Sequence, residues 1–307
     1  MKKLLLTGGS GLLATNWALL KRDSIEVNLG LHDREVKLNG VSIGKLHLDN
    51  LKKLGEDIMK IKPDVIVHTA ALSNVESCEE NFPYSVLSNV ELGCNIATIC
   101  AQKGIQMVHI STDHLFGGES PLVNELSEIK PLNNYAKSKG LAEQRILEIY
   151  PKALIIRTNF FGWGTSYRKS FSDFIIENLR EDKKITLFSD VYFTPIIISE
   201  LVRVVHILLE QKYSGIFHVC GNERISKFEF GCLIARTFKL NIKNIEGDSI
   251  LKRTELVRRP ADMSLCNNKV TKELSIPIQN YNNQLADLIK QEQNGIASEL
   301  QSISINI

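Results

Sequence analysis

Residues 133–144 read NNYAKSKGLAEQ, with Tyr135 four positions before Lys139. On a helix that spacing puts both side chains on one face. A phenol ordinarily titrates at about 10, too high for acid–base work at neutral pH, and a neighbouring ammonium draws that value down. Such a pair can give a proton to a carbonyl oxygen, or take one from an alcohol, while hydride moves at the adjacent carbon. The plainer account is a solvated helix face, and Lys137 beside the pair supports it. A bare Y-x-x-x-K occurs often by chance, so the pair needs company.

Two other stretches supply it. The apolar run QMVHIST ends in Ser111–Thr112–Asp113, and a hydroxyl at the C-terminal end of a strand stands where an open α/β sheet has its ligand crevice. At the N-terminus, LLLTGGSGLLATNWALL reads as strand, glycine turn and helix, with Gly8, Gly11 and Ala14 fitting G-x-x-G-x-x-A. Glycines permit the tight turn and let backbone N–H groups approach a pyrophosphate at the positive helix end. Ser10, Leu12 and Leu13 complete that turn. The bland alternative is a strand–helix turn with no ligand.

Dinucleotide folds carry an acidic residue about twenty positions further on for the adenosine ribose. Here LGLHDREVK offers Asp33, which suits a ribose diol, and Arg34 and Lys37, which suit a 2′-phosphate. A solvated charged loop is the competing reading. The cofactor is NADP or NAD, and the two basic groups tilt the choice to NADP.

These residues need a scaffold. KKLLLTG, IEVNLGL, DVIVHTAA, QMVHIST and ALIIRTN read as buried strands, separated by the helical stretches LLATNWALLKR, VLSNVELGCNIATICAQKG and YAKSKGLAEQRILEIY. Alternating strands and helices predict an α/β fold: a Rossmann-type, doubly wound parallel sheet with a smaller C-terminal α/β substrate lobe. Residues 1–158 form the expected dinucleotide-binding domain, completed by elements from about 185–220, which include the strand GIFHVCG. Residues 159–184 and 221–307 form the expected substrate lobe. Within it, SKFEFGCLIARTFK opens with a serine and a glutamate three positions on, a capping box.

Length and composition limit the rest. The 307 residues are 43% hydrophobic, enough for a sizeable core, and a net charge of +2 argues against nucleic acid as a partner. The six cysteines show no C-x-x-C spacing and no close histidine, which points away from zinc and disulfides and toward a reducing compartment. No metal site is expected. No apolar run reaches signal-peptide or membrane-span length, so the expectation is a soluble cytoplasmic protein with no membrane partner.

With these residues in hand, the chain resembles the extended short-chain dehydrogenase/reductases that act on nucleotide sugars, and among them the dTDP-4-dehydrorhamnose reductases. The similar pieces are TGGSGLLA, PDVIVHTAALSNVESCE, HISTDHLFGG, PLNNYAKSKGLAEQ, IIRTNFFGWG, GIFHVCGNERISKFEF and RRPADMSL. The resemblance implies reduction of a 4-keto group on a nucleotide-linked 6-deoxysugar, in polysaccharide biosynthesis, by an enzyme some of whose relatives are homodimers. Thr112 would hydrogen-bond the reacting oxygen, Tyr135 would protonate it, and Lys139 would hold the nicotinamide ribose and tune the tyrosine. Asn89 would organise the cofactor site, Leu48 and Asp49 would meet adenine, and Ala70 and Ala71 would pass the phosphates and ribose. Asp49 could equally cap the following helix, and Asn89 could be a core residue.

For the substrate, the resemblance points to His114, Asn159, Trp163, Arg258 and Arg259. The arginines suit a diphosphate; an exposed basic loop is the alternative. His114 stands where the reductases carry tyrosine, with loop packing as the competing account. Phe161, Trp163 and Tyr167 could face a sugar or simply pack their loop. Thr112–Asp113–His114 lacks the glutamate that sugar-nucleotide 4,6-dehydratases carry after Thr-Asp. A nucleotide-sugar epimerase remains a second reading. A third is a non-catalytic regulatory subunit like the methionine adenosyltransferase β subunit.

Overall fold

The computed structural model describes residues 2–303. Its centre is a parallel sheet built from β1 (Lys3–Thr7), β2 (Glu26–Leu31), β3 (Ser42–Lys45), β4 (Val65–His68), β5 (Gln106–Ile110), β6 (Leu154–Arg157) and a last strand, Gly215–His218. From one edge the order is Gly215–His218, β6, β5, β4, β1, β2, β3. The inner strands are near-continuous apolar runs because helices cover both faces; Leu4, Leu5 and Leu6 of β1 are all fully buried.

Leu4 is in register with Val27 of β2 on one side and Val65 of β4 on the other. The chain leaves β1 for β2 and β3, then returns to β4 beside β1. That reversal opens a crevice beyond the C-terminal ends of β1 and β4. All six apolar runs singled out in the sequence are strands of this sheet.

The Ile198–Glu210 helix packs on the Leu12–Lys21 helix, and Trp17 at the junction donates its indole N–H to His206 Nε2 at 3.0 Å. One element is placed differently from expectation. Ile185–Phe188 does not join the large sheet; it pairs with Ile245–Asp248 in the smaller lobe. Thr186 is exposed between the buried Ile185 and Leu187, a pattern suited to a strand with one covered face.

The smaller lobe closes around Phe230, fully buried on the Lys227–Thr237 helix. Its ring lies edge-on to Phe161 at 5.1 Å and to Phe193 at 5.5 Å. The expected capping box at the start of that helix is present, with Glu229 N–H donating to Ser226 Oγ at 3.1 Å and Ser226 N–H to Glu229 at 2.8 Å. Among the described residues no helix is long and apolar enough to cross a membrane, and no group of three or more His, Cys, Asp or Glu side chains is placed to hold a metal ion.

Candidate active site

The glycine turn sits at the crevice. Gly8 has φ +67°, and a Cβ there would lie 2.8 Å from both the backbone N and Cα of Ala70. Gly11 precedes the Leu12–Lys21 helix without any side-chain cap, so its first N–H groups are left for an anion. A glycine cradle and uncapped N–H groups at a topological switch point fit a dinucleotide diphosphate. Ser10 faces the smaller lobe, its carbonyl accepting the Tyr167 hydroxyl at 2.9 Å.

The other cofactor candidates lie around this turn. Asp33 is 83% exposed in its side chain and pairs with His32 at 2.8 Å. Arg34 is close enough to the Tyr167 phenol for its charge to act on it, which places a guanidinium beside the turn. Leu48 packs on the core under β1 and Asp49 is exposed. The cap of the Leu51–Ile61 helix is Asn50, accepting from Lys53 N–H at 3.0 Å, which leaves Asp49 uncommitted. Ala70 stands opposite Gly8, and Ala71 follows it, exposed.

Asn89 requires a correction as a cofactor contact. It is fully buried in a π-helical turn, Leu87–Glu91. Its carbonyl accepts Leu72 N–H at 2.7 Å, and its amide donates to Leu72 O at 3.1 Å and Ser138 Oγ at 2.9 Å. Ser138 in turn donates to the Tyr135 carbonyl at 2.8 Å. Asn89 therefore ties the β4 loop to the helix that carries Tyr135, with no polar atom left over.

That helix runs Asn134–Ile149, capped by Asn133, which accepts from Ala136 N–H at 2.9 Å. Tyr135 and Lys139 share its face toward the end of β5, where the Thr112 hydroxyl is near enough to act on the phenol. Lys139, only 2% exposed, donates to Ile110 O at 2.8 Å and to His109 Nε2 at 3.1 Å.

The expected tuning of the tyrosine takes a different form. Burial pushes the Tyr135 phenol up to about 12, against the pull of the Thr112 hydroxyl, and burial draws Lys139 down to about 8. Lys139 gives two of its donors to β5, so desolvation wins and Tyr135 stays a neutral phenol. At neutral pH it has a proton to give.

Asp113, next to Thr112, is 2% exposed. It accepts from Asn159 Nδ2 at 2.6 Å and from Thr112 Oγ1 at 3.2 Å. Burial nevertheless lifts its carboxyl to about 6. His114 sets its ring edge-on to Tyr135 at 5.7 Å. Burial holds it neutral, down to about 3, with the charges of Lys227 and Arg259 adding to the effect.

Across the crevice the smaller lobe contributes Lys227, the first residue of the Phe230 helix. Its ammonium stands 5.4 Å from the Phe171 ring centroid and feels both Asp113 and Arg259. Sequence reasoning missed this lysine, because only lobe docking sets it opposite Asp113; its signal was its place directly after a capping serine. Arg259 faces the same space while pairing with Glu76 at 2.6 Å. Arg258 is exposed and takes part through its backbone, its carbonyl accepting from Asn133 Nδ2 at 2.9 Å.

Trp163 does not reach the crevice. It is 4% exposed, its indole N–H donates to Leu288 O at 2.9 Å, and its ring meets Phe238. Phe161, 1% exposed, is likewise spent on the aromatic core. Both are packing residues, since a buried indole needs a partner for its N–H and this one has found it inside.

Comparison with known proteins bears on this arrangement. The family model described as the RmlD substrate binding domain matches residues 1–294. A crystal structure of a hypothetical dTDP-4-dehydrorhamnose reductase from Sulfolobus tokodaii is 31% identical, covering 92% of this chain and 99% of that one at a TM-score of 0.80. The Bacillus anthracis dTDP-4-dehydrorhamnose reductase in complex with NADP is 22% identical, covering 95% of this chain and 100% of that one at a TM-score of 0.83. The methionine adenosyltransferase 2 subunit beta of Xenopus laevis is 28% identical over 258 residues, 78% of this chain and 73% of that protein. With the match running from the glycine turn through the smaller lobe, the chain belongs to the RmlD substrate binding domain family.

Proposed function

We propose that this chain reduces the 4-keto group of a nucleotide-linked 6-deoxysugar, as the dTDP-4-dehydrorhamnose reductases it is similar to are named for doing. The observation that carries the reading is a part-buried tyrosine held protonated, beside a threonine hydroxyl, at the C-terminal end of β5. Reduction needs an acid at the nascent alkoxide, and a neutral phenol is one.

Gly8, Ser10, Gly11, Ala70 and Ala71 would cradle the dinucleotide, and Arg34 beside Tyr167 favours a 2′-phosphate, hence NADPH. A bound dihydronicotinamide supplies hydride to the carbonyl carbon. Thr112 orients the carbonyl oxygen, and Tyr135 delivers its proton there. Lys139 keeps a positive charge behind the phenol, easing loss of that proton as the alcohol forms. Arg259 and Lys227 put cations on the lobe side of the crevice, where a diphosphate and the sugar enter. His114 closes the wall beside Tyr135.

The test is stoichiometric NADPH oxidation against a panel of dTDP-, UDP-, GDP- and CDP-4-keto-6-deoxysugars. Tyr135→Phe should lose about 10²–10⁴-fold in kcat with NADPH binding kept, and Arg34→Ala should weaken NADPH more than NADH. Full activity in Tyr135→Phe would sink the reading. Turnover without net NADPH consumption would point to an epimerase. No turnover, together with co-purification of a larger catalytic chain, would point to a regulatory subunit, the role in the name of the Xenopus relative.

A further inference from the structure

Two histidines stand behind Lys139 in the middle of the sheet. His68 ends β4 and His109 is its register partner on β5; each is 1% exposed, and their ring centroids are 5.3 Å apart. Lys139 donates to His109 Nε2 at 3.1 Å. An ammonium is a donor only, so Nε2 is an acceptor and the ring proton of His109 sits on Nδ1.

At the far side, Thr7 Oγ1 lies 2.7 Å from His68 Nδ1. Two buried ring nitrogens have no protein partner, His109 Nδ1 and His68 Nε2, one on each ring. If His68 carries its proton on Nδ1 and donates it to Thr7, its Nε2 is left a bare acceptor. That complements the Nδ1–H of His109, and since neither atom has a protein partner, one water between the rings would join them. With that water the four nitrogens run in a single direction: Lys139 to His109, His109 through water to His68, His68 to Thr7. Thr7 immediately precedes Gly8, and its carbonyl is held by Thr69 Oγ1 at 2.7 Å.

We propose that His109 is a positioning residue for the site's lysine, the inner end of a neutral histidine line that anchors Lys139 to the strand bearing the glycine turn. An ammonium has three N–H donors. His109 and the Ile110 carbonyl take two, which leaves one for another acceptor. The line also keeps Lys139 charged, since its acceptor makes up part of what burial removes.

The titratable groups around Lys139 are His109 from β5, His68 from β4, and Tyr135 and Glu143 from its own helix. Burial keeps both rings and the phenol neutral, and Glu143 is the charge that supports the ammonium. Removing the His109 acceptor therefore lowers the lysine's proton affinity further.

Part of this rests on the reductase reading, namely what Lys139 does once charged, so the decisive measurement needs neither cofactor nor substrate. In cofactor-free protein with 13Cε-labelled lysine, the Lys139 resonance, assigned by its loss in Lys139→Arg, is titrated by NMR. His109→Leu should lower the midpoint by roughly one pH unit, about tenfold in proton affinity. His109→Gln, whose amide oxygen reaches the Nε2 position, should restore it. If His109→Leu does not fold, His109→Asn serves, because its shorter amide reaches only the Nδ1 position and should shift the midpoint as leucine would. With substrate, the alkaline limb of kcat should move in parallel. An unmoved midpoint in the leucine or asparagine variant, or a glutamine variant displaced as far as either, would overturn the proposal. The reductase reading itself is decided separately by Tyr135→Phe.

Discussion

Asn159 donates to Asp113 at 2.6 Å, tying the segment after β6 to the segment after β5 across the mouth of the crevice. The bond holds the residue that follows Thr112. It does not cancel the cost of burying the carboxylate, whose pKa rises to about 6.

The sign of that shift gives a pH test. Above about pH 6 the native state carries Asp113 as a buried anion, whereas below about pH 4 both native and unfolded states hold it protonated. Stability associated with the neutral acid is therefore lost as pH rises from about 4 to 6. Asp113→Asn should be more stable than the parent at pH 8, by up to about 3 kcal/mol, and the advantage should vanish at about pH 4. Urea midpoints at the two pH values check it, and a constant difference would refute it.

Glu143 and Arg157 form an ion pair at 2.7 Å with each side chain 2% exposed, beneath the helix that carries Tyr135. The guanidinium also stands over the Phe116 ring at 5.4 Å. Removing one partner leaves a buried charge uncompensated, so Glu143→Gln should cost about 3–5 kcal/mol in unfolding free energy. Adding Arg157→Met should recover much of the loss. If the double variant is no better than the single one, the pair is not the source of the cost.

Gly8 and Gly104 make a matched pair of controls. Both have positive φ, +67° and +68°, but a Cβ on Gly8 meets the Ala70 backbone at 2.8 Å while one on Gly104 meets nothing within 4 Å. Each alanine variant should lose about 1 kcal/mol or more to backbone strain. Gly8→Ala alone should also weaken NADPH binding, by tenfold or more in a fluorescence titration. Equal binding in the two variants would remove the crevice from the cofactor site.

The large sheet is legible in the sequence because its strands are buried on both faces, so runs such as Leu4–Leu6 and Val65–Val67 carry no polar interruption. β3 is not, since Ser42–Lys45 lies at the edge with mostly exposed residues. Tyr135 and Lys139 can be read from spacing, yet the direction of the tyrosine's shift cannot. It depends on Lys139 turning to His109 and Ile110, a choice made by the neighbouring strand. Trp163 shows the opposite failure: an aromatic in a motif near the site is drawn into the core by a carbonyl 125 residues away in sequence, that of Leu288. Lys227 is silent for the same long-range reason, because the docking of the smaller lobe decides what it faces.

The π-helical turn around Asn89 has a mechanical meaning. Such a turn holds one residue more than an α-helical turn, so the helix after it is rotated by about 100° relative to an uninterrupted one. Deleting a single residue between Leu87 and Glu91 would relax the turn, swing Asn89 off Leu72 and Ser138, and free the β4 loop from the tyrosine-bearing helix. The crevice is thus held in alignment by an insertion one residue long.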